Sequence, residues 1–191
     1  TEADINAIFF DSANGVLYAG TANGGIIYRC DTTTNCDAAG DWTTSYDTPS
    51  GEINTFVIDT THSVLYATGG SGTIYRCDLS TACDASGDWT GAATTAQTNY
   101  SLAFDSYSGV LYLSTGQYGY IYACNTASNC DEKTDWYLVF DDTSSTYNYV
   151  YDLFYEPTNH VVYARSGYPG ILYAHYDDPS FGYRLYLDDA D

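Results

Sequence analysis

The sequence contains no methionine, only five basic residues and no apolar run long enough to cross a bilayer as a helix. Without an initiator methionine, residue 1 reads as a processed or trimmed start. The shortage of positive charge is the more informative lack. Acidic residues outnumber basic ones 25 to 5, for a net charge of -20, so nucleic-acid phosphates and anionic lipid surfaces are both repelled. Nucleic acid and membrane insertion are thereby excluded as partners. The single lysine, Lys133, stands among abundant Asp, Thr, Ser, Gly and Tyr, a composition suited to an extracellular surface in a salty or calcium-containing medium. A helical period is missing too, and the apolar residues fall in short runs bounded by turn residues, which points to an all-β chain.

What is present is repeated. Six cysteines fall into three C-x5-C units: Cys30 with Cys36, Cys77 with Cys83, and Cys124 with Cys130. Six cysteines permit many pairings, but a unit copied intact with each repeat favours a bridge inside each copy. The spacing is wide for zinc and no histidine pair accompanies it. Disulfides imply an oxidising compartment, so the chain is expected to be secreted or extracellular.

Cys30, Cys77 and Cys124 stand 47 residues apart, as do Trp42, Trp89 and Trp136. Four copies align, at residues 1–50, 51–97, 98–146 and 147–191, in what reads as one domain spanning 1–191. Each opens with an apolar run ending in an acid, at Asp11, Asp59, Asp105 or Glu156, followed by four turn residues and a second run beginning at Val16, Val64, Val110 or Val161. That pattern predicts a β-hairpin. A glycine-rich turn, a third run and the cysteine loop follow, then a fourth run starting near Trp42, Trp89, Trp136 or Tyr183. The strands are apolar on nearly consecutive positions, as sheets covered on both faces require. A fixed period of this length carrying four short strands predicts a β-propeller, with each copy one four-stranded antiparallel blade. Four copies predict a closed four-bladed ring, with part of a larger or oligomeric ring as the alternative. The fourth copy has lost both cysteines.

The segment D-A-S-G-D-W from Asp84 to Trp89, with its counterparts Asp37 to Trp42 and Asp131 to Trp136, resembles the Asp box of sialidase-like propellers. The Asp-to-Trp separation matches, although the glycine, at Gly40 and Gly87, stands one place late and Thr134 replaces it in the third copy. The wider pattern also looks like propellers of the photosystem assembly-factor type. The resemblance implies a turn between the third and fourth strands in which Asp37, Asp84 and Asp131 tie the backbone and Trp42, Trp89 and Trp136 pack into the blade.

Catalysis is not expected. A sialidase-like site would need an arginine triad, a tyrosine–glutamate pair and an acidic proton donor, yet Arg29 and Arg76 are repeat equivalents on separate strands. His62, His160 and His175 form no catalytic or metal spacing. The recurring acids Asp11, Asp59, Asp105 and Glu156 admit two readings. They could ring one mouth of the axial channel and hold calcium, the one cofactor the sequence suggests, or each could cap its own hairpin turn. Asn99-Tyr100-Ser101 is a sequon and marks Asn99 for glycosylation. The face carrying the second-to-third strand turns, with Ser71, Tyr118 and Tyr168 beside Glu52, Gln97, Asp142 and Tyr147, offers tyrosines next to polar groups. The leading expectation is a non-catalytic extracellular structural or adhesive module that self-assembles or meets a protein partner. The alternative is a carbohydrate-binding propeller, and a sialidase-like glycoside hydrolase ranks last.

Overall fold

The computed structural model describes residues 4–49, 51–93, 97–141, 149–167, 172–176 and 184–185. Sixteen strands, numbered in chain order, form four separate sheets of four antiparallel strands, each a meander of consecutive strands. The first sheet comprises β1 (Ile5–Asp11), β2 (Val16–Thr21), β3 (Ile26–Asp31) and β4 (Thr43–Asp47). The second comprises β5 (Ile53–Asp59), β6 (Val64–Gly69), β7 (Thr73–Asp78) and β8 (Trp89–Ala93). The third holds β9 (Asn99–Asp105), β10 (Val110–Thr115), β11 (Ile121–Asn125) and β12 (Tyr137–Phe140). The fourth holds β13 (Val150–Glu156), β14 (Val161–Ser166), β15 (Leu172–Tyr176) and β16 (Arg184–Leu185). The strands begin within a residue of where the repeat places them. Tyr183, the expected start of the last strand, lies outside the described residues.

Register repeats with the sequence. The acid closing each first strand pairs with the valine opening the second: Asp11 with Val16, Asp59 with Val64, Asp105 with Val110 and Glu156 with Val161. Each first strand packs against its successor, β1 on β5, β5 on β9 and β9 on β13. Between the first two sheets Val16, Tyr18 and Ile27 meet Ile53, Leu65 and Trp89. A Cβ on Gly20 would overlap the Ile53 side chain, so that position must stay bare for the sheets to approach. Between the second and third sheets Val64, Tyr66 and Ile74 meet Leu102, Phe104 and Trp136, and between the third and fourth Tyr112 and Ile121 meet Val150 and Leu153. The second and third sheets thus each have a leading face turned to the preceding sheet and a trailing face turned to the next, the first sheet packs by its trailing face and the fourth by its leading face.

The three bridges form within their copies, Cys30–Cys36, Cys77–Cys83 and Cys124–Cys130. Each loop also holds two consecutive non-glycine residues at positive φ, Asn35-Cys36, Ala82-Cys83 and Asn129-Cys130. Such backbone costs roughly 1 to 2 kcal/mol per residue. A ring this small removes on the order of 2 to 3 kcal/mol of unfolded-chain entropy, enough to offset much of that strain. The side chain opening each loop helps, because Asp31, Asp78 and Asn125 accept from the backbone N–H two residues on.

Polar bonds cross the same interfaces. Ser45 of the first sheet donates to Cys83 O at 2.6 Å and accepts from Trp89 Nε1 at 2.8 Å. The Tyr66 hydroxyl donates to Asn129 O of the third sheet at 3.0 Å.

The four sheets follow one another in chain order, each packed on the next. Among the described residues no packing comparable to that of neighbouring sheets joins β13 back to β1, and Ile8 and Phe154 are strongly exposed. The closed four-membered ring expected from the sequence is therefore not shown among the described residues.

The three repeat tryptophans therefore sit in unequal surroundings. Trp89 and Trp136 are buried against the preceding sheet, whereas Trp42, with no sheet before it, is half-exposed. Trp89→Ala should cost about 3 to 5 kcal/mol by chemical denaturation, as a large core truncation does, and Trp42→Ala less than half as much.

Candidate functional site

The recurring acids turn back on their own hairpins. Asp11 Oδ1 accepts from the N–H groups of Ala13 and Asn14, and its Oδ2 from Asn14 Nδ2 at 2.7 Å. Asp59 accepts from Thr61 and His62 N–H, with His62 Nδ1 2.7 Å from its second oxygen. Asp105 accepts from Tyr107 and Ser108, and Glu156 from Thr158 and Asn159. Among the described residues no three His, Cys, Asp or Glu side chains converge on one point. The calcium ring drawn from the sequence therefore lacks its geometry, because each carboxylate is directed into its own turn and not toward its repeat equivalents. Burial alone would raise the Asp59 pKa, but hydrogen bonds from His62, Thr126 and the turn amides outweigh it and hold the carboxyl below its ordinary range. Glu156 is held lower, at about 2, by Thr158 and Asn159.

The box acids need a correction. The carboxylates that tie the turn are Asp41, Asp88 and Asp135, which precede the tryptophans and accept from the N–H groups of Ala38, Ala85 and Glu132. Asp37 and Asp84 are exposed and Asp131 is half-buried. The third copy makes the same turn with Thr134 in place of the glycine. Asp84 and Asp131 instead lie at sheet boundaries, where each adds a small raising influence on a tyrosine of the preceding sheet. Burial is the main cause of both shifts, and it takes Tyr66 to about 12. Arg29 and Arg76 lower these same two phenols, each from the partner strand of its tyrosine, so the two arginines serve separate sheets.

Asn99 is also corrected as a glycosylation site. It is fully buried in β9, and a glycan on that side chain would force the strand out of its sheet.

A cavity among the described residues lies where the chain departs from its own repeat. The second residue of the first strand is Asn6, then Asn54, but Tyr100 and Tyr151 in the last two copies. In the first half the asparagines link neighbouring strands, Asn6 Nδ2 donating to Asn54 Oδ1 at 3.3 Å and Asn54 Nδ2 to Asn99 O at 2.8 Å. In the second half tyrosines cluster, with Tyr100 and Tyr151 ring centres 5.2 Å apart and Tyr149 stacked on Tyr151 at 5.7 Å. Beside them opens a cavity of about 330 Å³ lined by Gly70, Ser71, Gln97, Thr98, Tyr100, Gly116 and Tyr149. Gly116 is required there, because a Cβ would stand 2.8 Å from Tyr100 Cε2. Burial raises the Tyr100 pKa, with Tyr151, Glu52 and Tyr149 adding to the shift. The cavity therefore presents aromatic faces, hydroxyls and an amide, with the Glu52 carboxylate nearby.

Ser71 and Gln97, named from sequence on this face, both reach the cavity. Tyr118 stacks instead on Tyr120, at 5.8 Å. Asp142, Tyr147 and Tyr168 lie outside the described residues. Tyr100 and Tyr149 were not singled out, though the change from Asn54 to Tyr100 at an aligned position was the available signal.

No family model matches the sequence, and no curated protein is recognisably similar to it. Solved structures are similar in fold. One, from a nidogen/laminin complex, superposes with a TM-score of 0.66 at 14% identity, over 90% of this chain and 60% of that one. The RRP9 WD40 repeats give 0.71 at 12% identity, over 97% and 52%. An auxiliary nutrient binding protein from Bacteroides thetaiotaomicron gives 0.70 at 13% identity, over 96% and 40%. The fold is that of a β-propeller. This chain spans between 40% and 60% of the length of those proteins.

Replacing Asp59 tests the turn assignment. Its folded pKa lies below the ordinary 3.8, so its stabilisation is complete above that value and is lost as pH falls through the folded pKa. Asp59→Asn should cost about 1.5 to 3 kcal/mol at neutral pH, and the wild-type and variant stability curves should converge as pH falls below the folded carboxyl's pKa. Adding calcium or a chelator should leave the wild-type melting temperature unchanged.

Proposed function

We propose that this chain is a non-catalytic extracellular binding and structural module, an arc of propeller blades whose ring is completed by blades beyond these four. The supporting observation is what the repeat preserves. Asp11, Asp59, Asp105 and Glu156 close hairpins, Asp41, Asp88 and Asp135 close the box turns, and the cysteines close loops. The acids copied with the repeat are occupied as hydrogen-bond acceptors within their own turns, which suits a scaffold better than an acid–base pair. The bridges and the strongly acidic composition favour an oxidising extracellular setting. A panel of chromogenic glycosides tests the non-catalytic reading: no release above the blank is expected, and turnover by purified protein would overturn it.

The tyrosine-lined cavity favours glycan as the partner class. Sugar rings stack on aromatic faces while their hydroxyls meet polar groups such as Ser71, Gln97 and Thr98, and about 330 Å³ is room for a small saccharide. On a glycan array, Tyr100→Ala should abolish any binding seen with the wild type. Binding that survives the substitution would remove the cavity from the reading.

A further inference from the structure

The tyrosine-lined cavity combines aromatic faces with a carboxylate. Tyr100 and Tyr149 stand nearly at right angles, with an interplanar angle of 78° and ring centres 6.4 Å apart. Gly116 lies against both rings, since a Cβ there would stand 2.8 Å from Tyr100 Cε2 and 3.4 Å from Tyr149 Cδ1. The two rings thus form a corner of the cavity they both line. The turn between β6 and β7 supplies Gly70 and Ser71 to the same lining. A Cβ on Gly70 would overlap the Glu52 carboxyl group, which brings that carboxylate to the cavity rim. Its charge is also felt at the Tyr100 hydroxyl, where it adds to the raising effects of burial and of Tyr151.

Charge at this site is one-sided. Among the described residues that line the cavity none is basic. Among the described residues the cation at the tyrosine cluster is Arg165, whose guanidinium carbon stands 5.7 Å from the centre of the Tyr151 ring. Arg165 lies opposite Asp152 in the register of β13 and β14, so its charge is offset there and Glu52 sets the sign at the cavity. Aromatic faces attract cations through the ring quadrupole. A carboxylate repels uronic and other acidic sugars, gives a neutral sugar a hydrogen bond, and gives an ammonium charge attraction as well.

Resting on the reading of this cavity as a glycan site, we propose that its ligand is an amino sugar with a free amine, the ammonium seated in the corner of Tyr100 and Tyr149 within reach of Glu52. The rings then face the cation and the Ser71 and Thr98 hydroxyls and the Gln97 amide meet the sugar hydroxyls. Acetylating the amine removes the charge that both the rings and the carboxylate select.

The test is calorimetric titration of the full chain, at mildly acidic pH where the sugar amine is protonated, with three matched probes: the disaccharide of glucosamine, its N-acetylated form, and the glucose disaccharide of the same linkage. The glucosamine disaccharide should bind about tenfold or more tighter than either of the others. Glu52→Gln keeps the side-chain oxygen that accepts from Asn54 Nδ2 at 3.3 Å, so it should fold, as its melting curve will check. In that variant the preference should collapse, with affinity for the glucosamine disaccharide falling about tenfold and affinity for the glucose disaccharide unchanged. Tyr149→Ala should weaken the glucosamine disaccharide by about the same factor. Equal binding of the three probes, or a preference for the acetylated form, would overturn the proposal while the glycan reading stands. A Glu52→Gln or Tyr149→Ala variant that keeps the full preference for the amine would overturn it too, because the selecting groups would lie elsewhere. If none of the three binds and the glycan array is also blank, the glycan reading itself falls and takes this inference with it.

Discussion

The structure depends on one constraint: a four-stranded sheet of this sequence has two apolar faces and only its neighbours to cover them. Ile53 and Leu65 point back from the second blade into the first, while Val64 and Tyr66 point forward into the third, and all four are essentially removed from water. Each such side chain contributes about 1.5 to 3 kcal/mol relative to an exposed one, so the blade-to-blade contacts dominate the favourable side of folding. Stability in such a stack is a sum of blade terms and nearest-neighbour terms. The same residue type is therefore worth different amounts at different places in the array. Trp42 and Trp89 illustrate it, being closely similar in sequence context and unequal in burial.

Local closures carry the remaining order. The disulfide loops, the acid-capped hairpins and the box turns each hold a few residues in conformations an isolated chain would seldom visit. Cys83 and Ala82, both left-handed, are kept so by a bridge only six residues long in sequence. Such closures need no neighbouring blade. They leave each blade as a preformed ribbon and let hydrophobic burial act on whole faces. Where a closure does reach outward it reinforces the stack: His62 lies 2.7 Å from Asp59 in its own turn and 3.3 Å from Thr126 Oγ1 in the next blade.

How much of this could be read from sequence follows the same division. Hairpins, bridges and strand starts were legible because they are local and repeated: the four-residue gap between Asp59 and Val64 dictates a turn in any context. The identity of the box acid was not, since Asp84 and Asp88 both flank the turn and only backbone geometry decides that Asp88 faces the donors. Burial of Asn99 was hidden as well. A sequon reports the chemistry of three residues and nothing about which side of a strand they occupy. Ring closure was beyond reach for a deeper reason. It depends on an angle accumulated over successive interfaces, and no residue pattern within a blade encodes that sum. The cavity was half-legible, through Ser71 and Gln97, while Tyr100 stood in plain view as a break in the repeat.

That break separates what the copies share from what they do not. Shared residues build blades, and the aromatic substitutions at Tyr100 and Tyr151 build the one corner unlike the rest. Charge bears on both ends of the problem. At -20, two copies of the chain repel at long range, yet the Debye length is only about 8 Å at physiological ionic strength. Beyond that distance the repulsion fades, and within it the contest is decided by which groups meet. The leading face of the first blade brings Ile5, Ile8 and Phe10, whereas the trailing face of the fourth sets Phe154 and Tyr163 beside the exposed charges of Asp152 and Arg165. Salt therefore acts on the apolar leading face in the opposite sense to its action on an ion-paired surface: it screens the repulsion between acidic loops and leaves the gain from apolar burial intact.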